Sequence, residues 1–345
     1  LNEPGKAIDA YEGIIDGYGV EQSDACKELE ELYEAQGRWQ ELGQLLERRV
    51  EAGPESHEEL AALKFRLGRV CESELDDKPR SVELYREVLL LIAEHDGAKA
   101  RLEALLGDQE VAAEASRVLE PVYEMSEDWG PYVNALRVQH GFSAVPRERL
   151  QLLTRIADTY FQHLGDSSRG FSSLCDAFRE VPSDVATLSR LEMLASEQDL
   201  FDAVAELTAD LAGTVEDPAL SRSLWIKTAA IQDTQLRNPE AAVAAYRQVL
   251  EADPGDFEVL DALDAVYRGA ERWPELIGIL RARAEAHGDP DEKIAVLMEM
   301  SRIHADLLDE NDRAIALQNE VLELDPTHRE ALFALDGLLA RDGLW

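Results

Sequence analysis

The sequence predicts an all-α fold of stacked helical hairpins on three observations: a fixed internal period, helix-type spacing of apolar residues, and no strand-type alternation. The period is the first signal to read. Trp129, Phe201, Trp273 and Trp345 stand 72 residues apart, and Trp39 precedes Trp129 by 90. A tyrosine lies six residues before three of these aromatics, at Tyr33, Tyr123 and Tyr267; the fourth copy carries Ala195. Pro182, Pro254 and Pro326 repeat at the same 72-residue interval. A leucine ahead of a short polar loop recurs at Leu1, Leu75, Leu164, Leu236 and Leu308, with intervals of 74, 89, 72 and 72. Three registers with one period indicate a repeat array, so the 345 residues count repeats rather than globular domains.

The elements of one unit follow in order. Asn238 is a good N-cap and Pro239 suits a first helical turn. Ala242, Val243, Tyr246, Val249 and Leu250 then fall on one helical face. Asp253-Pro254-Gly255-Asp256 stops that helix. The second helix carries Val259, Leu260, Leu263, Val266 and Tyr267 and ends near Gly269. Trp273 opens a third, through Leu276, Ile277, Ile279 and Leu280, which His287-Gly288-Asp289-Pro290 breaks. A fourth, about 291–308, carries Ile294, Leu297, Met298, Ile303 and Leu307. Four helices make two hairpins, each with an apolar face that only a stacked neighbour can bury.

These residues resemble the tetratricopeptide repeat (TPR) family, in the manner of the long arrays of large bacterial TPR proteins. The resemblance is best at Ala242, Tyr246 and Pro254, and it recurs at Ala314, Gln318 and Pro326. Ala7, Tyr11 and Gly19 form a third copy, with the proline lost, and Gly170, Leu174 and Pro182 a fourth. It implies a right-handed α-solenoid of TPR-like hairpins with a concave groove for peptides or partner domains. It transfers no functional residue, because the motif positions are packing positions. One interval is longer than the rest, and the excess lies between Leu106 and Trp129. The chain therefore reads as TPR-like repeats over 1–106, an irregular extra helix or kink over 107–121 bounded by Gly107 and Pro121, and repeats again over 122–345. It begins at Leu1 and closes at Trp345, both mid-unit, and is expected to be a piece of a longer array.

Composition narrows the function. The chain holds 34 basic and 71 acidic residues, net charge −37. Phosphate backbones need clustered Lys and Arg, so nucleic acid is excluded as a partner. Anionic membrane surfaces are excluded on the same ground. The longest apolar run, Val88 to Ala93, is too short for a transmembrane helix. Cys26, Cys71 and Cys175 form no CxxC or zinc pattern and read as small buried apolar residues. They lean away from a disulfide-stapled secreted domain and slightly towards the cytoplasm, without excluding a periplasmic or surface location. Seven histidines include no pair at i, i+4 and no Glu-x-x-His, so no helical metal site is expected. No phosphate-binding glycine loop, nucleophile elbow or calcium loop is present. Paired carboxylates such as Glu30-Glu31 and Asp76-Asp77 read as solvated. Trp39, Trp129, Phe201 and Trp273 open equivalent helices; packing at the hairpin turn is the favoured reading, an aromatic ladder for a ligand the other.

The expectation is a non-enzymatic scaffold with no cofactor, recruiting a protein or peptide through the groove of first helices. The acidity favours a basic ligand segment, whose capture would be lost above roughly 0.3 M salt. The alternative is a structural element that self-associates end to end, which light scattering distinguishes.

Overall fold

The computed structural model describes residues 4–20, 23–54 and 56–341. Leu1 and Trp345, each a copy of a repeat marker, lie outside the described residues. All described secondary structure is helical, in two compact units, Leu1–Val181 and Pro182–Trp345.

The first unit contains α1 (Pro4–Tyr18), α2 (Ser23–Gln36), α3 (Trp39–Glu51), α4 (His57–Ser73), α5 (Lys78–Leu91), α6 (Asp96–Leu105), α7 (Ala112–Met125), α8 (Trp129–Phe142), α9 (Pro146–Thr159) and α10 (Ser167–Glu180). A π-helical turn, Tyr160–Leu164, extends α9. The second contains α11 (Val185–Gln198), α12 (Phe201–Thr214), α13 (Pro218–Thr234), α14 (Pro239–Ala252), α15 (Phe257–Gly269), α16 (Trp273–Ala286), α17 (Pro290–Asp306), α18 (Asn311–Leu324) and α19 (Arg329–Arg341). Successive helices pack against one another within each unit. Helix starts at Ser167, Pro239 and Asn311 are 72 residues apart, as are those at Trp129, Phe201 and Trp273.

Two turn geometries explain the sequence markers. In the first, the loop leucine sits just before a left-handed residue: Asp76, Gly165, Arg237 and Asp309, with φ between 52° and 64°. The next residue donates its N–H six positions back: Asp77 to Cys71 and Asn238 to Gln232, both at 2.8 Å. This closure satisfies the last helical carbonyls. Only Gly165 adopts the left-handed conformation without a Cβ penalty. The chain then re-enters a helix, because Asp77, Asp166 and Asn238 cap α5, α10 and α14 through their side chains. In the second geometry the tyrosine marker ends a helix. The residue before the aromatic marker donates to the tyrosine carbonyl, as Arg38 to Tyr33, Asp128 to Tyr123 and Arg272 to Tyr267, all at 2.9 Å. The left-handed residues between them are Gly37, Glu127 and Glu271.

Helices after a proline marker also share one N-terminal position. Asp256 accepts from Val259 N–H at 3.2 Å and Asp184 from Thr187 N–H at 2.9 Å; in later and earlier copies His328 and His95 use Nδ1 in the same way. Asp256 is also gripped by Arg222 from α13, with Nε at 2.5 Å and Nη2 at 3.0 Å. That guanidinium and the cap amide hold the carboxyl below the ordinary aspartate value. A depressed pKa adds stability that is fully present above the unfolded value, about 3.9, and disappears as pH falls through the folded value. The melting temperature of the intact chain is therefore expected to exceed that of Asp256→Asn by a constant margin from about pH 5 to 8. The margin should shrink below about pH 4; a margin that persists at pH 2.5 would contradict the linkage.

The cores follow the predicted faces with one exception. Ala242, Val243, Tyr246 and Val249 of α14 are buried against Val259, Leu263 and Tyr267 of α15. Leu307, expected on the packing face of the fourth helix, is exposed, because α17 ends at Asp306 and Leu307 turns outward as its C-cap. Glu30 corrects a second expectation. It is fully buried rather than solvated, and it lies between Arg49 of α3 and Arg66 of α4, ion-paired to both. Only the packing of three helices brings those guanidinium groups together.

Candidate functional site

The long interval becomes two helices where other copies have one. After α5 the chain forms α6, turns at Leu106–Val111, and forms α7 before α8. The irregular segment of 107–121 thus spans that turn and most of α7, which continues past Pro121 to Met125. Pro121 has no N–H to give the Arg117 carbonyl one turn earlier.

Between α5, α6 and α7 lies a groove of about 750 Å³. Leu89 and Val118 form its floor, both buried. Leu90 and Met125 stand on its rims, 75% and 78% exposed. Arg86, Lys99 and Arg117 line it together with Glu94, Asp96 and Glu114, so the lining is charge-balanced on a strongly acidic chain. Arg86 pairs with Glu83 at 2.5 Å and Arg117 with Glu114 at 3.2 Å, both one helical turn apart and exposed. Such exposed pairs add little to stability and exchange readily for partner contacts. Lys99 Nζ lies 4.8 Å from the Tyr123 ring centroid, which ties the floor to the α7 core.

The sequence markers sit inside the cores, at helix starts or in turns. Tyr33, Tyr123 and Tyr267 are buried. The Tyr33 hydroxyl donates to Glu12 at 2.5 Å and Tyr123 to Glu103 at 2.8 Å; Arg247 donates to the Tyr267 hydroxyl at 3.2 Å. Trp39, Trp129 and Trp273 open α3, α8 and α16, half-buried against separate parts of the cores. Trp129 stacks on His163 at 3.7 Å between centroids. Phe201 opens α12 and is likewise half-buried. Pro182, Pro254 and Pro326 occupy the turns after α10, α14 and α18. None of them lines the groove. Its rim residue Leu90 belongs to the one long apolar run, Val88 to Ala93, and an unbroken run on an amphipathic helix necessarily pushes some apolar side chains outward.

The three cysteines are buried and free. Burial pushes the Cys71 and Cys175 thiols up to about 11 and raises Cys26, the opposite of an activated thiolate. No cluster of three metal-ligating side chains occurs among the described residues. Among them, no helix is long and apolar enough to cross a membrane.

Two stretches of the chain match a known repeat family. The tetratricopeptide repeat family matches residues 25–58, across α2 and α3, and residues 234–256, across α14 and its flanking turns. No curated protein matches the chain. Among solved structures, the C-terminal part of a TPR repeat-containing protein from Cytophaga hutchinsonii aligns at 12% identity over 73% of this chain and 98% of that one, with a TM-score of 0.31. The pilF protein of Pseudomonas aeruginosa aligns at 11% identity over 67% and 97%, with a TM-score of 0.28. Both repeat matches fall on helices that pair as hairpins, so the chain carries tetratricopeptide repeats at residues 25–58 and 234–256.

Proposed function

We propose that this chain is a non-catalytic scaffold that docks an amphipathic helical segment of a partner protein in the groove between α5 and α7. The observation that supports it is the pair of exposed rim side chains, Leu90 and Met125, over a buried apolar floor on a chain whose surface is otherwise acidic. An apolar groove with a methionine rim suits the anchor residues of a helix, because the flexible thioether adapts to them. The surrounding negative charge steers a basic segment towards the groove, and the balanced walls accept both signs at close range. On this reading the 72-residue double hairpin is the building unit, and the 107–121 segment is the joint that opens a binding surface between two runs of repeats.

The test is capture of partner protein by the intact chain, compared with Leu90→Asp/Met125→Asp. Both sites are exposed, so folding should be unchanged by circular dichroism. A purely electrostatic groove would release its partner above roughly 0.3 M salt; the apolar anchors should instead make capture by the wild type persist there, where exposed charges are largely screened. The double variant should lose the same partner at every salt concentration. Equal capture by both proteins would remove the groove from the function.

A further inference from the structure

Helices α4–α6 and α13–α15 are copies in register. The first three begin at His57, Lys78 and Asp96, the second three at Pro218, Pro239 and Phe257, each 161 residues later. In the first copy an arginine closes the space between the helices. The Tyr85 hydroxyl donates to Glu72 Oε2 at 2.7 Å, and Arg101 Nε donates to the same oxygen at 2.9 Å. Arg101 Nη2 stands 2.7 Å from Glu72 Oε1, so the guanidinium grips both carboxylate oxygens.

The second copy retains the carboxylate and the phenol and has lost the arginine. Asp233 stands in the position of Glu72, Tyr246 in that of Tyr85, and Ala262 in that of Arg101. A hollow of about 560 Å³ occupies the place, lined by Asp233, Tyr246, Ala262 and Val266. Among the described residues no cation pairs with Asp233. Burial raises the Tyr246 phenol above its ordinary value, and the Asp233 charge adds to the rise, so the hydroxyl remains protonated. A third copy provides an internal contrast. Between α17, α18 and α19 the equivalent positions are Ala305, Gln318 and Ala334, and the hollow there is only about 210 Å³; its one carboxylate, Asp306, stands one residue past the Glu72 position, and it has no phenol.

We propose that the hollow between α13, α14 and α15 is a socket for an arginine side chain presented by a partner protein. The first copy shows, within this same chain, what this arrangement of helices does with an arginine: a forked guanidinium on a half-buried carboxylate beside a tyrosine hydroxyl. In the second copy that guanidinium has to come from outside. The occupant is an arginine rather than a lysine, because the fork matches both carboxylate oxygens at once and an ammonium does not. The net charge of −37 favours such a partner at long range, while the socket places one side chain. The inference is independent of the groove between α5 and α7, and either can fail alone.

The test places 3-fluorotyrosine at position 246 of the intact chain and follows its resonance while an acetylated, amidated Gly-Arg-Gly tripeptide is added. A saturable shift is expected, with the citrulline counterpart binding at least about ten-fold more weakly, since it loses a charge-assisted pair. Asp233→Asn should abolish the saturable shift. Ala262→Arg should fill the socket from within, removing the response and raising the melting temperature, and Asp233→Asn in that background should cancel the rise. Equal shifts with the arginine and citrulline peptides would overturn the socket. So would a shift unaffected by Asp233→Asn, or no saturable shift together with no rise from Ala262→Arg.

Discussion

Replacing Glu30 with alanine is expected to destabilise the first unit by about 3–5 kcal/mol, the range for breaking a buried ion pair by removing one partner. Glu30 is 0% exposed, and its two arginines differ in what they can do without it. Arg49 is itself buried and retains only a longer contact of 3.6 Å to the exposed Glu59. Arg66 is one-third exposed and still pairs with Glu34 at 2.6 Å, so water and that partner accommodate it. The cost therefore falls mainly on Arg49. The double substitution Glu30→Leu/Arg49→Leu should recover most of the loss, because an apolar replacement of a buried pair is often neutral. Thermal melts of the intact chain by circular dichroism distinguish the outcomes. A Glu30→Ala melting temperature within a degree or so of wild type would show that Arg49 finds solvent and that the three-helix junction is looser than its geometry.

Replacing Tyr267 with alanine is expected to cost about 3–5 kcal/mol in the second unit, as for other large buried aromatics. Tyr267 is 1% exposed in the core that joins α14, α15 and α16. The Arg272 guanidinium lies 5.2 Å from its ring centroid, and Arg247 donates to its hydroxyl. Tyr267→Phe retains the ring and should cost only about 1 kcal/mol. Trp273→Ala, six residues on, should cost less than Tyr267→Ala, about 1–2 kcal/mol, because that ring is only half-buried. If Trp273→Ala proved the more damaging, the aromatic at the head of the helix, and not the tyrosine at the tail of the preceding one, would hold the hairpin together.

What was legible in the sequence was whatever local chemistry decides. The leucine, tyrosine and proline markers each report a turn, and a turn is made by backbone bonds spanning four to six residues. The left-handed closures at Asp76, Arg237 and Asp309 and the caps at Asp77 and Asn238 lie within that span. Helix starts at Trp39, Trp129, Phe201 and Trp273 were legible for the same reason. Leu307 marks the limit, since a register that is right for sixteen residues says nothing about the first residue beyond the helix end.

The sequence by itself determined the helices, their turns and the repeat, because capping, left-handed closure and periodic burial act between residues near in the chain. Only the tertiary structure decided which polar side chains matter. Glu30 and Glu31 look alike as neighbours in an acidic helix, yet one is buried between two arginines from other helices and the other is exposed. The groove beneath Leu90 and Met125, and the hollow where Ala262 stands in place of an arginine, exist only where three helices meet. Burial and ion pairing are properties of such junctions, and residues such as Glu30 and its partners Arg49 and Arg66, 19 and 36 positions from the glutamate, come together there through packing that no local pattern encodes.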